Sequence, residues 1–307
     1  MIALVGYTGF VGSNICAKGN IDRVYNSKNI NKAYGLCPDI LIYCGLRAEK
    51  YLANNSPERD YQQILEAEKN IININPKKLV LISTVDVFKD SYNKDENSFV
   101  ETEGLHPYGL HRYYLEQWVR ENYQDAVIIR LPGLYGLNLK KNFIYDYINV
   151  IPFMLKQQKY EELLRKEHSL SEYYVKSDND FFKCKELDKN NREILKDKFK
   201  KLEYTALNFT DSRSIYQFYP LSRLWDDINV LIMNGIKLWH PATEPISVKE
   251  LYKGLTSGEE FENILGGTPA MYNFKTVYDD LFGGSDGYIC TKEEIVKDIK
   301  EFVGRNV

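Results

Sequence analysis

Residues 2–14 read Ile2-Ala3-Leu4-Val5-Gly6-Tyr7-Thr8-Gly9-Phe10-Val11-Gly12-Ser13-Asn14. The first four form a continuous apolar run closed by a glycine, the pattern of a strand buried on both faces of a parallel sheet. Three glycines then recur at intervals of three, and the chain enters a helical pattern. Glycine supplies positive φ in a tight strand-to-helix turn, and its missing Cβ lets backbone N–H groups approach a phosphate. The helix that follows presents the partial positive charge of its N-terminus to the same place. The G-x-x-G-x-x-G spacing is one residue longer than the common G-x-G-x-x-G fingerprint. Its position between a strand and a helix is nevertheless the context in which such a turn holds a dinucleotide pyrophosphate. Gly6, Thr8, Gly9, Phe10, Val11 and Gly12 are therefore the expected pyrophosphate-binding residues.

The pattern continues outward from that turn. Val24-Tyr25 ends a second strand, residues 39–45 form a third that runs into Cys44-Gly45-Leu46, and residues 78–84 and 126–131 form two more. Between them lie a helix from Pro57 to about residue 74, closed by Pro76, and another over about residues 108–123. Strands and helices alternating at this spacing imply right-handed β-α-β crossovers and a doubly wound parallel sheet, an α/β Rossmann fold with a smaller C-terminal substrate-binding lobe. The expected division is a dinucleotide-binding domain over residues 1–145 with later sheet elements at about 214–241. Residues 146–213 would be a charged insertion contributing to the substrate lobe, and residues 242–307 the lobe itself with a final amphipathic helix. The stretch 155–203, dense in Lys, Glu and Asp, reads as a solvated helical insertion, with a lid or partner surface as the alternative. Ser247, three residues before Glu250, has the pattern of a capping box.

The residues after the second strand bear on cofactor choice. A carboxylate there would bind a ribose 2′-hydroxyl and repel a 2′-phosphate. The positions hold Asn26, Ser27 and Lys28, with Asp22 ahead of the strand, which favours NADP while leaving NAD possible.

The composition narrows the remaining classes. A chain of 307 residues, 44% hydrophobic and 27% charged with a formal net charge of -3, has no electrostatic footprint for nucleic acid or an anionic membrane. No apolar run approaches the roughly 20 residues of a membrane span, and no signal-peptide pattern precedes Ile2. Cys16, Cys37, Cys44, Cys184 and Cys290 are odd in number and show no C-x-x-C spacing, which argues against a disulfide framework or zinc site and for a reducing cytoplasm. His106, His111, His168 and His240 show no metal spacing, so no metal is expected, and His111 reads as a surface residue. Tyr216, Phe218 and Tyr219 read as aromatic packing, with a place in a substrate pocket as the alternative.

Four stretches together resemble the extended short-chain dehydrogenase/reductase family, particularly its nucleotide-sugar reductases and epimerases. They are Gly6-x-x-Gly9-x-x-Gly12, Ile82-Ser83-Thr84-Val85-Asp86-Val87-Phe88, Tyr108-Gly109-Leu110-His111-Arg112 and Arg130-Leu131-Pro132-Gly133-Leu134-Tyr135-Gly136. The resemblance implies an NAD(P)-dependent oxidoreductase or epimerase acting on a nucleotide-linked sugar, in surface-polysaccharide synthesis. It implies Thr84 as the hydroxyl that orients the sugar oxygen, Ser83 as its neighbour at the cofactor, and Tyr108 as acid/base. It also implies a homodimer through helices including residues 109–123. By the same resemblance Cys44, Gly45 and Leu46 run along the cofactor, and Pro132-Gly133 lies beside its carboxamide.

The family's Y-x-x-x-K is here Tyr108-x-x-x-Arg112. Residues four apart share a helix face, so Arg112 is expected beside Tyr108, where it would depress the phenol pKa and donate to ribose hydroxyls. It has no readily released proton, however, so a relay through it to water is lost. The Asp-Glu pair that follows the Thr in the family's sugar 4,6-dehydratases is Val85-Asp86 here. That argues for reduction or epimerisation over dehydration, with Asp86 either bonding the sugar or simply solvated. The competing expectation is a catalytically impaired dinucleotide-binding regulator or scaffold.

Overall fold

The computed structural model describes residues 1–177 and 180–306, and its contacts divide the chain into two compact units. The first comprises Met1–Leu139, Ile215–Ile246 and Met271–Lys297. Its elements follow the alternation of the sequence: β1 (Ile2–Val5), α1 (Phe10–Lys18), β2 (Arg23–Tyr25), β3 (Ile40–Tyr43), α2 (Lys50–Asn55), α3 (Pro57–Ile74), β4 (Lys78–Thr84), α4 (Pro107–Asn122), β5 (Val127–Leu131) and β6 (Gly133–Tyr135). After the excursion into the second unit come β7 (Phe218–Pro220), α5 (Leu224–Met233) and β8 (Leu238–Trp239).

Six strands form one sheet in the order β8-β5-β4-β3-β1-β2, and every pairing is parallel. Alternate residues feed opposite faces, as the strand period requires. Ala3, Val5, Leu41, Leu79, Leu81 and Ile128 pack on one side with Ile64, Ala67 and Ile71 of α3 and Leu115 and Val119 of α4. Leu4, Ile42, Val80, Val127 and Ile129 pack on the other with Ile15 of α1 and Leu224, Ile228 and Leu231 of α5. Helices cover both faces of a parallel sheet, the doubly wound arrangement. The chain leaves β1 for β2 on one side and returns to β3 on the other, so strand order reverses between β1 and β3, where such sheets bind ligands beyond the strands' carboxyl ends.

Two amide side chains complete this unit where no strand reaches. Asn14 Nδ2 donates to the Leu137 carbonyl at 2.8 Å while its Oδ1 accepts the Leu137 N–H at 2.9 Å. Gln217 does the same for Phe274, donating to its carbonyl and accepting its N–H, both at 2.9 Å.

The second unit comprises Lys140–Ser214, Ser247–Ala270 and the chain from Asp298. The expectation of a helical insertion is corrected in part. Helices Gln157–Lys166 and Lys189–Lys201 are present, but Met154–Lys156, Tyr174–Lys176 and Phe181–Cys184 build a three-stranded antiparallel sheet among them. Leu155, Tyr160, Leu163, Leu170, Leu195 and Phe199 form this unit's own apolar core. The capping box at Ser247 and Glu250 opens the helix Val248–Leu255. No helix of the described residues is long and apolar enough to cross a membrane.

Candidate active site

Gly6 follows β1 with φ 94°, and its N–H donates to Tyr25 O at 2.7 Å. A Cβ built on Gly6 would stand 2.5 Å from the Cys44 carbonyl oxygen, and one on Gly12 only 2.3 Å from that of Gly6. Backbone therefore fills the space a side chain would need, and the turn closes onto the end of β3 at the switch point. Gly9 is the N-cap of α1 and offers no side chain to the first-turn amides. Thr8 is exposed, while Phe10 and Val11 pack partly against the core and leave their backbone to the turn. These features form a cradle that a pyrophosphate fits: glycine backbone, a helix N-terminus and no competing side chain.

Neighbouring candidates follow from the same strand ends. Asn26 Oδ1 accepts the Lys28 N–H at 2.9 Å, which fixes the turn after β2 and presents Ser27 and Lys28 outward. Burial pushes the Cys44 thiol pKa up, so it stays protonated beside Gly45 and Leu46. Gly133, after Pro132, begins β6 and runs against β7, where a Cβ would lie 2.7 Å from Gln217 O.

Thr84 ends β4 and its Oγ1 accepts the Asp86 N–H at 3.1 Å, closing a short helical turn over Val85–Val87. Tyr108 lies in the first turn of α4, capped by His106, whose Nδ1 accepts the Gly109 N–H at 3.1 Å. A Cβ on Gly109 would fall 2.0 Å from the Asp86 carbonyl oxygen, so only glycine lets α4 seat this close to the turn. The result is that Tyr108 is seated beside the turn that follows Thr84, and the Thr84 hydroxyl helps to lower the phenol pKa. Burial raises the phenol pKa above its usual value, opposed first by Arg112; the charges of Asp86 and Asp60 raise it further.

Arg112 lies beside Tyr108 as its spacing predicts, its guanidinium carbon 3.9 Å from the ring centroid. Its terminal nitrogens also hold other partners. Nη1 donates to both oxygens of Asp60 at 2.9 and 2.7 Å, and Nη2 to Arg47 O at 2.9 Å. The expected depression of the phenol pKa is therefore outweighed by burial. His111 is not on the surface: it is buried, and its Nδ1 lies 2.8 Å from Asp60 Oδ2. A carboxylate only accepts, so that nitrogen carries the proton.

Asp86 is not simply solvated. Its Oδ1 accepts from Lys50 Nζ at 2.9 Å and from the Tyr272 hydroxyl at 3.0 Å. Neither partner stands out in the sequence. Tyr272 in turn stacks on Tyr216, the ring centroids 6.0 Å apart at 24°. Phe218 and Tyr219 are buried, and the Tyr219 hydroxyl donates to Asp227 at 2.5 Å. Ser83 points to the opposite face from Thr84 and donates to Glu116 at 2.5 Å, within a buried pair in which Arg130 Nη2 meets Glu116 Oε2 at 2.6 Å. Its hydroxyl is committed to that pair.

No family model matches the chain, and no curated protein matches it in sequence. Solved structures match it in fold. The dTDP-4-dehydrorhamnose reductase of Bacillus anthracis, in complex with NADP, is similar over 99% of this chain and 97% of its own, with TM-score 0.62 at 16% identity. The UDP-glucose 4-epimerase of Thermotoga maritima, with UDP-glucose, covers the same shares with TM-score 0.60 at 13% identity. RMD from Pseudomonas aeruginosa, complexed with NADPH, is similar over 100% of this chain and 99% of its own, with TM-score 0.59 at 13% identity. At these identities the likeness establishes the Rossmann-type fold over essentially the whole chain.

Proposed function

We propose that the chain is a nicotinamide-dinucleotide-dependent oxidoreductase or epimerase of nucleotide-linked sugars, working in surface-polysaccharide synthesis. The observation that carries this reading is the seating of Tyr108, in the first turn of α4, against the turn that follows Thr84, at the carboxyl end of the sheet that also carries the glycine cradle. Gly6–Gly12 and the start of α1 would hold the pyrophosphate, Asn26–Lys28 the adenosine ribose, and Cys44–Leu46 and Pro132–Gly133 the remainder. Bound there, the dinucleotide supplies or accepts a hydride at its nicotinamide ring. Thr84 holds the sugar oxygen, and Tyr108 gives that oxygen a proton or takes one from it. Asp86 shapes the sugar's surroundings together with Tyr272. The fold neighbours solved with NADP, NADPH and UDP-glucose support this assignment of ligands.

The finer parts of the reading are NADP in preference to NAD, a homodimer and a cytoplasmic location. Lys28 and the absence of a carboxylate at residues 26–28 support the first. The test is to incubate the purified chain with a panel of UDP- and dTDP-linked sugars and each dinucleotide. Product formation and nicotinamide absorbance report turnover, and loss of it in Tyr108→Phe is the expected result. A second reading, a dinucleotide-binding regulator with impaired turnover, draws on the commitment of Arg112 to Asp60. It predicts dinucleotide-dependent stabilisation without turnover.

A further inference from the structure

Lys50, the first residue of α2, and Asp86, in the turn after β4, meet next to the start of α4. Two contacts fix their place there. The Tyr108 N–H donates at 3.1 Å to Oδ1 of Asn54, also of α2, and Gly109 seats against the Asp86 carbonyl. A single carboxylate oxygen takes both protein donors: Asp86 Oδ1 accepts from Lys50 Nζ at 2.9 Å and from the Tyr272 hydroxyl at 3.0 Å. Among the described residues no donor meets Oδ2, and Nζ has no second acceptor. A carboxylate accepts at both oxygens and an ammonium carries three N–H groups, so each keeps capacity to spare. The Lys50 side chain is 43% exposed and that of Asp86 19%, and an ion pair so open to water adds little to stability. Beside it the Tyr272 ring stacks on the half-buried Tyr216, whose hydroxyl has no partner among the described residues. Aromatic walls with a few placed polar groups are what orient a small polar ligand.

We propose that Lys50 and Asp86 clamp two adjacent hydroxyls of the sugar, which makes a free hydroxyl on its third carbon a requirement of the substrate. The inference rests on the nucleotide-sugar reading above and names the feature of the sugar that the site selects. One hydroxyl donates to Asp86 Oδ2, and the neighbouring oxygen accepts from Lys50 Nζ. Asp86 Oδ1 stays with Lys50 and Tyr272, which hold the carboxylate in place as the sugar enters. The pair thus offers an acceptor beside a donor, and a vicinal diol offers a donor beside an acceptor. In a glucose unit the first carbon bears the nucleotide and the fifth is closed into the ring. Its adjacent hydroxyls therefore lie on the second and third carbons or on the third and fourth. Both pairs contain the third. A sugar lacking that hydroxyl leaves the carboxylate oxygen or the ammonium without its partner, which is how a site rejects such an analogue.

The test measures binding, with no dinucleotide added so that no hydride moves. Calorimetry on the full chain gives dissociation constants for UDP-glucose, its 3-deoxy analogue and UDP, and for the corresponding dTDP set. In the unaltered chain the 3-deoxy sugar should bind about tenfold or more weakly than glucose. In Lys50→Met and in Asp86→Ala that gap should close to about threefold or less, because the group that reads the hydroxyl is gone. Affinity for UDP or dTDP alone should stay that of the parent chain. A merely structural role would weaken both sugars alike and leave the gap as it was. Melting temperatures show that each variant is folded, and Lys50→Met decides the matter if Asp86→Ala is not. Equal affinity for the two sugars in the unaltered chain, or an unchanged gap in Lys50→Met, overturns the inference and leaves the nucleotide-sugar reading in place. If neither nucleotide binds, with or without its sugar, that reading fails and the inference falls with it.

Discussion

The guanidinium of Arg112 lies over the ring of Tyr108, 3.9 Å from its centroid. The contact places a cation against the π face while the guanidinium's planar fork is held by Asp60. Arg112 and Asp60 are each only 4% exposed, so the pair is a buried one whose halves depend on each other. Arg112→Met should therefore cost about 3–5 kcal/mol by stranding the Asp60 charge. Arg112→Lys should cost about 1–3 kcal/mol through lost hydrogen bonds. Calorimetry would measure both. Because Asp60 captures whatever cation stands at 112, Arg112→Lys should not raise turnover; a rise would identify the arginine as a handicapped lysine.

Tyr108→Phe removes the phenol oxygen but keeps the ring under Arg112. Turnover should fall by about 10²–10⁴-fold, with a melting temperature close to that of the parent chain. Since burial holds the phenol pKa above its usual value, oxidation of a sugar hydroxyl, which needs the phenolate, should accelerate as pH rises through the alkaline range. A pH–rate profile of the oxidising direction would check this.

Gly6→Ala meets two obstacles: a backbone at φ 94° and a Cys44 oxygen 2.5 Å from the new methyl. The strand end must shift, and the expected outcome is loss of dinucleotide-dependent thermal stabilisation together with a lower melting temperature. Retained stabilisation by NADP or NAD in this variant would remove the turn from the binding site.

Burial raises Asp146 of the second unit to about 7, from an ordinary 3.8. A carboxyl whose folded-state pKa lies above its unfolded value favours folding below the unfolded pKa and loses that contribution as pH rises through the folded one. Asp146→Asn should therefore stabilise the chain at pH 8 and change it little at pH 4. Thermal melts across that range would show the difference, and an equal effect at both ends would contradict it.

The elements that could be read along the chain were those whose signal is local. The helix Pro57–Ile74 carries a proline at its start and another just beyond its end, and its apolar spacing is long enough to be unambiguous. Tyr108 and Arg112 share a face because their spacing is helical. The short strands Met154–Lys156, Tyr174–Lys176 and Phe181–Cys184 escaped because three or four residues among lysines and glutamates leave no readable alternation. Lys50 and Tyr272 escaped for a different reason. They reach Asp86 across 36 and 186 residues, and nothing in their own neighbourhoods marks them. Nothing local marks His111 as buried, because its partner Asp60 stands 51 residues upstream and faces it only once α3 and α4 pack. Gly109 lies between Tyr108 and Arg112, yet its purpose, clearing the Asp86 carbonyl, is visible only in three dimensions.

Asn14 and Gln217 each treat a distant residue as a neighbouring strand would, giving one hydrogen bond to its carbonyl and taking one from its amide. The segments at Leu137 and Phe274 are thereby held by a chemical group that ages. Hydrolysis of a side-chain amide leaves a carboxylate, which still accepts but no longer donates. At residue 14 that charge would press against the carbonyl oxygens of Phe10 and Leu137, both of which now receive its Nδ2 hydrogens. A single deamidation there would turn a clasp into a repulsion, at the helix that follows the glycine turn.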